Sequence, residues 1–302
     1  MPEAVVRDEA AMLAAQRAAI GRSLARLCER SLDAVSPRVA EAIRYSLLGE
    51  GKRMRGTLFL SAFEAAGGVG DAADLAAAIE VVHAYSLVHD DLPCMDDDDV
   101  RRGRPTVHRV YGVAIATAAG LSMVPLAARC AADSARALGL GDDAIGAIVI
   151  EMMQASGAGG MIGGQLLDLE GEGRPLALAE LERIHRAKTG ALIMAAATLG
   201  GRAACASHVR LAALARYGAA VGLAFQIADD VLDVTATTDQ LGKTAGRDLA
   251  LHKSTYPALL GVEGAKHRAE ALIEEGCRAL EAVGLLTPPL ARIARFTVER
   301  TS

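Results

Sequence analysis

Tryptophan is absent from the 302-residue sequence, and aromatic residues together make up only 3% of it. Because β-sheets draw on aromatic and β-branched side chains, this scarcity disfavours a sheet protein, whereas abundant alanine and leucine favour helices. No stretch alternates polar and apolar residues as strands do, and no fixed repeat or Pro/Ser-rich linker divides the chain. Hydrophobic residues reach 52%, which suffices for a sizeable core. The sequence therefore predicts an all-α fold in a single domain over residues 1–302.

The sequence also lacks a cluster of positive charge, since the formal net charge is −5 and the lysines and arginines are scattered. This distribution disfavours a nucleic-acid partner. The five cysteines include no CxxC pair, and an odd number leaves one unpaired in any disulfide scheme. Reduced thiols and a cytoplasmic location are therefore expected, and the N-terminus does not resemble a secretory signal.

One hydrophobic run is long enough to cross a membrane: residues 110–128 contain no charge. The run is rich in alanine and is diluted by small, polar and helix-breaking residues, namely Gly112, Thr117, Gly120, Ser122 and Pro125. Its insertion energy would be modest, and the centre of a large helical protein also needs helices that are apolar on all sides. We expect a buried helix and no transmembrane span.

Helical periodicity is visible over residues 9–32 and 39–48. Glycine-rich segments predict breaks between helices at residues 49–51, 67–70, 139–141, 171–175 and 200–201. A further glycine cluster, SGAGGMIGG at residues 156–164, lacks the lysine that a phosphate-binding P-loop requires. Close packing of helices through small residues is the better interpretation of this cluster.

Six aspartates follow the apolar helical stretch 78–88, at positions 90, 91 and 96–99. Carboxylates at this density repel one another unless cations or water intervene, so the segment is either a solvated acidic loop or a cation site. Pro93 cannot continue a helix regularly. We expect the chain to bulge there and to bring Asp96 back towards Asp90 and Asp91.

A second acidic cluster, Asp229, Asp230 and Asp233, lies in the apolar run AAVGLAFQIADDVLDV. Asp229 and Asp233 are four residues apart, which places both on one face of a helix, where like charges destabilise it. A shared cation explains the pattern, and oxygen ligands without nearby His or Cys indicate Mg²⁺ rather than zinc. The spacing of neither cluster is that of an EF-hand.

Basic residues recur in short groups near predicted helix ends. Each of these residues taken alone is typical of a solvated surface. Taken together with the two acidic clusters, the basic residues indicate a diphosphate substrate held by Mg²⁺, lysine and arginine. They are Lys52, Arg53, Arg55, Arg101, Arg102, Lys188, Lys243 and Lys253.

Seven motifs occur in order from about residue 47 to the C-terminus: GKRMR, HAYSLVHDDLPCMDDDDVRRG, GGQLLDLE, RIHRAKTGALI, GLAFQIADDVLDV, LGKTAGRD and KSTYPALLG. In these motifs the chain resembles the trans-isoprenyl diphosphate synthases, or polyprenyl synthetases. The resemblance implies a single-domain helical bundle around a deep central cavity, with the two aspartate motifs facing each other near its mouth. It further implies a homodimer, three Mg²⁺ ions, and isopentenyl diphosphate and an allylic diphosphate as substrates.

The resemblance also assigns roles. Asp90, Asp96 and Asp229 would be direct metal ligands, and Asp91, Asp230 and Asp233 further or water-bridged ligands. Arg101, Lys188 and Lys243 would grip the allylic diphosphate, with Lys253 also on the substrate side. Lys52, Arg55, His83 and Arg102 would bind isopentenyl diphosphate. Thr189 and Gln226 would stabilise a carbocation, and His89 is treated as structural.

Product length in this family depends on the side chains one turn before the first aspartate motif. Here these are Tyr85 and Ser86, and a bulky tyrosine resembles bacterial farnesyl diphosphate synthases, so a fifteen-carbon product is expected. Geranylgeranyl diphosphate synthase and a non-catalytic subunit of a heteromeric prenyltransferase are the alternatives. A terpene cyclase is disfavoured because such enzymes lack the second aspartate motif. One departure is Leu121, where the family usually has a buried aspartate.

Overall fold

The computed structural model describes residues 3–235 and 253–299. Within these ranges the chain is almost entirely helical, which confirms the predicted all-α class. The helices are α1 (Glu3–Ser31), α2 (Pro37–Leu47), α3 (Met54–Ala65), α4 (Ala73–Asp90), α5 (Val107–Tyr111), α6 (Val113–Ala137), α7 (Asp142–Ser156), α8 (Met161–Glu170), α9 (Leu178–His185), α10 (Ala191–Ala203), α11 (His208–Thr235), α12 (Tyr256–Glu281) and α13 (Pro288–Glu299). A π-helical turn, Arg186–Gly190, joins α9 to α10, and two short strands, β1 (Val100–Arg101) and β2 (Arg104–Pro105), precede α5.

The chain divides into two compact units. Unit 1 comprises Met1–Met153 and Leu199–Cys205, and unit 2 comprises Gln154–Thr198 and Ala206–Ser302. The single domain over residues 1–302 stays a prediction.

In unit 1, α4 is the central helix and packs against α1, α3 and α6. Its residues from Leu75 to Val82 are all buried, because this helix is apolar around its whole circumference and needs neighbours on every side. At its C-terminal end His89 lies against Gly120 of α6, where a Cβ atom would overlap the imidazole ring. His89 Nε2 is 3.2 Å from the carbonyl oxygen of Thr117, in keeping with a structural role.

Four of the five breaks predicted from glycines coincide with helix ends. The fifth prediction is wrong, because Gly200 and Gly201 lie inside α10. A Cβ atom at Gly200 would overlap the backbone oxygen of Phe59 in α3. Glycine at this position therefore permits close approach of two helices rather than a turn.

The uncharged run 110–128 is not one continuous helix. It breaks at Gly112, whose φ of 89° is a conformation that other residues rarely adopt, so α5 ends and α6 begins there. By length and composition alone, three helical segments among the described residues could cross a membrane: Val113–Ala137, Asp142–Glu170 and His208–Thr235.

In unit 2, α11 packs against α12 and α13. The fully buried Tyr217 donates its hydroxyl to the Leu290 carbonyl oxygen, 2.6 Å away. Glycines allow close backbone contacts elsewhere in this unit: a Cβ atom at Gly164 of α8 would overlap the backbone of Lys188 in the π-helical turn. Gly164 therefore serves close packing, whereas Cβ atoms at Gly160 and Gly163 would meet only the nearby backbone of Ala155 and Ala158, so the packing role of the cluster as a whole stays a prediction.

Candidate active site

The first aspartate cluster folds back on itself in unit 1. Helix α4 ends at Asp90, and the Asp96 backbone N–H then donates to the Asp90 carbonyl oxygen at 2.8 Å. The Asp98 N–H donates likewise to the Asp91 oxygen at 3.2 Å. The fold-back predicted at Pro93 is confirmed, since the chain leaves the helix and returns within six residues.

A tight hairpin follows, formed by β1 and β2, which pair antiparallel. Its two turn residues, Arg102 and Gly103, have φ values of 53° and 71°, as a type I′ turn requires. These strands were not predicted from the sequence, because a ladder of two residues per strand has no periodicity to detect. The hairpin fixes the backbone that carries Arg101 and Arg102.

Arg101 neutralises two of the aspartates. Its guanidinium lies 2.6 Å from Asp91 Oδ1 and 3.2 Å from Asp98 Oδ2. Burial raises the pKa of the Asp91 carboxyl, which is only 3% exposed, while Arg101 acts in the opposite direction. Burial disfavours the charged guanidinium as well, but its bond to Asp91 prevails and raises the pKa of Arg101. Asp91 thus orients Arg101, and its role as a further metal ligand stays a prediction.

Positive charge gathers around His83 of α4. Burial, followed by the charges of Arg55 and Arg102, holds the pKa of His83 well below its usual range. Its Nδ1 atom is buried and has no hydrogen-bond partner within residues 3–235 and 253–299. Burial, and next the charge of Arg53, lowers the pKa of Arg102. Three of the residues predicted to bind isopentenyl diphosphate, Arg55, His83 and Arg102, are thus near enough for the two arginine charges to act on His83, while Lys52 is exposed in the loop before α3.

A buried acid that the sequence analysis missed supports this region. Glu80 accepts the Gly56 N–H at 2.9 Å and lies 4.0 Å from the Arg53 guanidinium. Arg53 in turn donates to the carbonyl oxygens of Leu47 and Gly49. Glu80 therefore anchors the start of α3, which carries the basic motif. The signal available in the sequence was Glu80 itself, which is the only acid in the stretch 78–88.

The two residues predicted to set product length are buried in α4. The Tyr85 ring packs edge-on against His89, with centroids 5.9 Å apart, and the Ser86 hydroxyl donates to the His83 carbonyl oxygen at 2.9 Å. Their effect on product length stays a prediction. Leu121 is 61% exposed on an outward face of α6, in contrast to the buried aspartate that is usual in the family.

The second aspartate cluster lies on one uninterrupted helix, α11, in unit 2. Asp230 is buried, and its Oδ2 accepts the backbone N–H of Tyr256 at 3.0 Å and lies 3.3 Å from His185 Nε2. The His185 ring stacks on Tyr256, with centroids 5.8 Å apart. Asp230 thus ties the start of α12 to α9, a packing role that the sequence analysis did not identify. Metal ligation by Asp229, Asp230 and Asp233 stays a prediction.

Thr189 and Gln226, predicted as a pair, are in direct contact. The Thr189 hydroxyl donates to Gln226 Oε1 at 2.7 Å. Thr189 belongs to the π-helical turn, an irregularity that is frequent at functional sites because it redirects side chains. The turn also packs closely on α11, where a Cβ atom at Gly222 would lie 2.8 Å from the Gly190 Cα.

Lys188 and Lys253 converge on one carboxylate, that of Asp168, which lies in the GGQLLDLE motif and had no predicted role. Asp168 Oδ2 lies 2.7 Å from Lys188 Nζ and 2.9 Å from Lys253 Nζ. Burial opposes ionisation of Asp168, but the two lysines prevail and lower its pKa to about 2. Lys243 lies outside the described residues.

No three His, Cys, Asp or Glu side chains form a group able to hold a metal ion within the described parts of the chain. Both clusters nevertheless offer carboxylate oxygens, the donors that Mg²⁺ prefers, and the second has no cysteine beside it in the sequence, whereas Cys94 falls within the first. In donor chemistry the predicted ligands therefore fit magnesium.

Comparison with known proteins shows which family the chain resembles. Residues 36–283 match the model of the polyprenyl synthetase family. The chain is 45% identical over 267 residues to farnesyl diphosphate synthase of Escherichia coli (strain K12), covering 87% of this chain and 89% of that protein. It is 43% identical to the chloroplastic geranylgeranyl pyrophosphate synthase of Capsicum annuum, covering 80% of this chain and 66% of that protein.

The chain is also similar in fold to solved structures of prenyl-transferring enzymes. The crystal structure of an FPP/GFPP synthase from Zymomonas mobilis matches with a TM-score of 0.85 and 32% identity, covering 96% of this chain and 99% of that one. A geranyltransferase from Legionella pneumophila matches with a TM-score of 0.85 and 28% identity, covering 98% of each chain.

Proposed function

Because the chain belongs to the polyprenyl synthetase family, we propose that it is a trans-prenyltransferase that joins isopentenyl diphosphate to an allylic diphosphate. Members of this family depend on Mg²⁺ in general. The observation that carries the proposal is the pair of arginines held at the aspartate hairpin, where Arg101 contacts Asp91 and Asp98 and Arg102 donates to the Glu50 carbonyl oxygen. Guanidinium groups bind phosphate through paired hydrogen bonds, so such a cluster suits a diphosphate.

Lys52, Arg55, His83 and Arg102 are proposed to bind the isopentenyl diphosphate. Because its pKa is depressed, the His83 imidazole is neutral at pH 7 and supplies a polar contact without adding to the charge of the cluster. Arg102 is fixed for this task, since its guanidinium donates to the Glu50 carbonyl oxygen at 2.9 Å.

Arg101, Lys188, Lys243 and Lys253 are proposed to bind the allylic diphosphate. Asp90, Asp96 and Asp229 would be the direct ligands of Mg²⁺, with three ions per chain proposed. When bound, Mg²⁺ would neutralise the diphosphate and favour its departure. The proposal also includes a homodimer and a cytoplasmic location.

In the proposed reaction the allylic C–O bond breaks and its electron pair leaves with the diphosphate. The alkene of isopentenyl diphosphate then attacks the allylic cation, and the departed diphosphate takes the proton that the product loses. Thr189 and Gln226 present oxygen dipoles that would stabilise the cation. No protein nucleophile is needed.

Farnesyl diphosphate is the proposed product, because Tyr85 is bulky, buried and held by its contact with His89. Geranylgeranyl diphosphate is the alternative, since proteins similar to this chain include synthases of both products.

The test is elongation by the purified protein. Isopentenyl diphosphate is incubated with dimethylallyl or geranyl diphosphate and Mg²⁺, and the products are sized by mass spectrometry. We expect fifteen-carbon product from the wild type, longer product from Tyr85→Ala, and no turnover from Asp229→Asn or after chelation of Mg²⁺. Absence of elongation by the wild type would contradict the enzyme, and activity only with a second protein would indicate a subunit of a heteromer. Twenty-carbon product from the wild type would refute the argument from Tyr85.

A further inference from the structure

Asp168 lies at the centre of a partly buried group of charges in unit 2. One oxygen, Oδ2, contacts the ammonium groups of both Lys188 and Lys253. The side chains of Asp168, Lys188 and Lys253 are 18%, 25% and 16% exposed, so solvent screens them little. Lys253 Nζ also lies 3.2 Å from Glu172, which follows Asp168 by four residues, just after the end of α8.

Two ammonium groups this close repel each other. Since both contact one oxygen, at 2.7 and 2.9 Å, their nitrogens lie at most about 5.6 Å apart. Without a negative charge between them, the long, flexible lysine side chains would swing apart into solvent. The carboxylate keeps its charge throughout the neutral range, because its pKa is lowered to about 2.

Helix α8 fixes Lys188 at two points. Gly164 lies against the Lys188 backbone, and Asp168, four residues later on the same helix face, holds its ammonium group. The segment of Lys253 is tied down separately, because the neighbouring Ser254 hydroxyl accepts the Leu176 N–H at 2.9 Å. One helix face therefore determines where both ammonium groups lie.

We propose that Asp168 is a positioning residue that holds Lys188 and Lys253 side by side as a binding site for the diphosphate of the allylic substrate. The inference rests on the proposed function. An ammonium has three N–H donors, and the contact of Lys188 with Asp168 uses one of them, so that ion pair does not by itself prevent a bond to phosphate. Asp168 makes no contact with the substrate and acts through the lysines alone.

Removing the charge of Asp168 would change anion affinity in opposite directions for a positioning residue and for a carboxylate that only repels the anion. A carboxylate near an anion site repels the anion, so if Asp168 were only a competitor, removing its charge would tighten binding. If it positions the lysines, removing its charge weakens binding, because they must then be ordered by the ligand itself.

The experiment is isothermal titration of the full-length protein with inorganic pyrophosphate in excess MgCl₂, for the wild type, Asp168→Asn and Glu170→Gln. Glu170 is an exposed acid on the same helix, so Glu170→Gln makes the same charge change away from the lysine pair. We expect Asp168→Asn to lower pyrophosphate affinity about tenfold, because the ligand must then order both lysine side chains itself, and Glu170→Gln to change it less than twofold.

Steady-state kinetics provide the second readout. In Asp168→Asn we expect KM for the allylic diphosphate to rise about tenfold while KM for isopentenyl diphosphate stays unchanged, and Asp168→Glu to recover part of the loss. In a Lys188→Ala background the effect of Asp168→Asn should shrink, because the two residues act together. Thermal unfolding of each variant identifies any that do not fold.

Unchanged or tighter pyrophosphate binding by folded Asp168→Asn would overturn the positioning role. That outcome is separate from failure of the proposed function, in which the wild type elongates no chain although pyrophosphate binding still depends on Asp168.

Discussion

Asp230 and His185 meet in the buried part of unit 2, with the carboxylate oxygen Oδ2 3.3 Å from the imidazole Nε2. The same oxygen accepts the backbone N–H of Tyr256, the first residue of α12. A residue from a motif expected to bind metal thus also holds three helices together. The two roles make different demands, since packing requires an oxygen acceptor and metal binding requires a negative charge.

Replacing Asp230 by alanine should lower the free energy of unfolding by about 1–3 kcal/mol, because two buried donors lose their acceptor. Asp230→Asn should cost less, since its amide oxygen can accept both bonds. Urea unfolding followed by circular dichroism measures both changes. If Asp230→Asn is folded but inactive, the charge of Asp230 also serves the chemistry. Full stability of Asp230→Ala would show that the packing role is wrong.

Gly164→Ala should destabilise the protein by about 1–3 kcal/mol, because the added Cβ atom would overlap the Lys188 backbone and force the π-helical turn to shift. Gly146 in α7 is the matched control, since a Cβ atom there would meet nothing within 4 Å. Alanine at Gly146 should stabilise its helix by about 0.5–1 kcal/mol. Thermal unfolding of both variants tests the contrast, and equal losses would contradict the close packing at Gly164.

The lysines lower the pKa of Asp168 from 3.8 to about 2, so the folded state holds its ionised form more tightly than the unfolded chain does. The resulting stability, on the order of 2 kcal/mol, is fully present above about pH 4 and is lost as the pH falls towards 2. Asp168→Asn should therefore be less stable than the wild type at pH 7, with the difference shrinking below pH 4. Urea titrations from pH 7 to pH 3 measure this, and a constant difference would refute the ion-pair explanation.

His83 should remain neutral when the pH falls below 6.5, because its pKa is held well below that value. The unfolded chain binds a proton there and the folded chain does not, so His83 makes the protein less stable as the pH drops through 6.5. The NMR signal of the His83 imidazole Cε1–H should show no titration between pH 8 and pH 6. The signal is assigned by its absence from the His83→Gln variant. That variant should also lose stability less steeply below pH 6.5. A resonance with a midpoint near 6.5 would contradict the burial of His83 among arginines.

Several features follow from the sequence because they are local. The scarcity of aromatic residues indicated helices, the position of Pro93 indicated the fold-back of Asp96, and the four-residue spacing placed Asp229 and Asp233 on one helix. The first depends on the residue types in the whole chain, and the other two depend on backbone geometry over a few residues. The local signals were insufficient at Gly200, because a glycine that ends a helix and one that admits a neighbouring helix look alike in sequence.

The sequence by itself determined the fold class, the two acidic clusters and the residue types that point to diphosphate chemistry. Only the tertiary structure decided which groups support them: Glu80 holds Gly56 from 24 residues away, and Asp168 holds Lys188 and Lys253 from 20 and 85 residues away. Spacing along a helix is set by covalent geometry, whereas contacts between distant segments depend on how whole helices pack, and no local pattern encodes that.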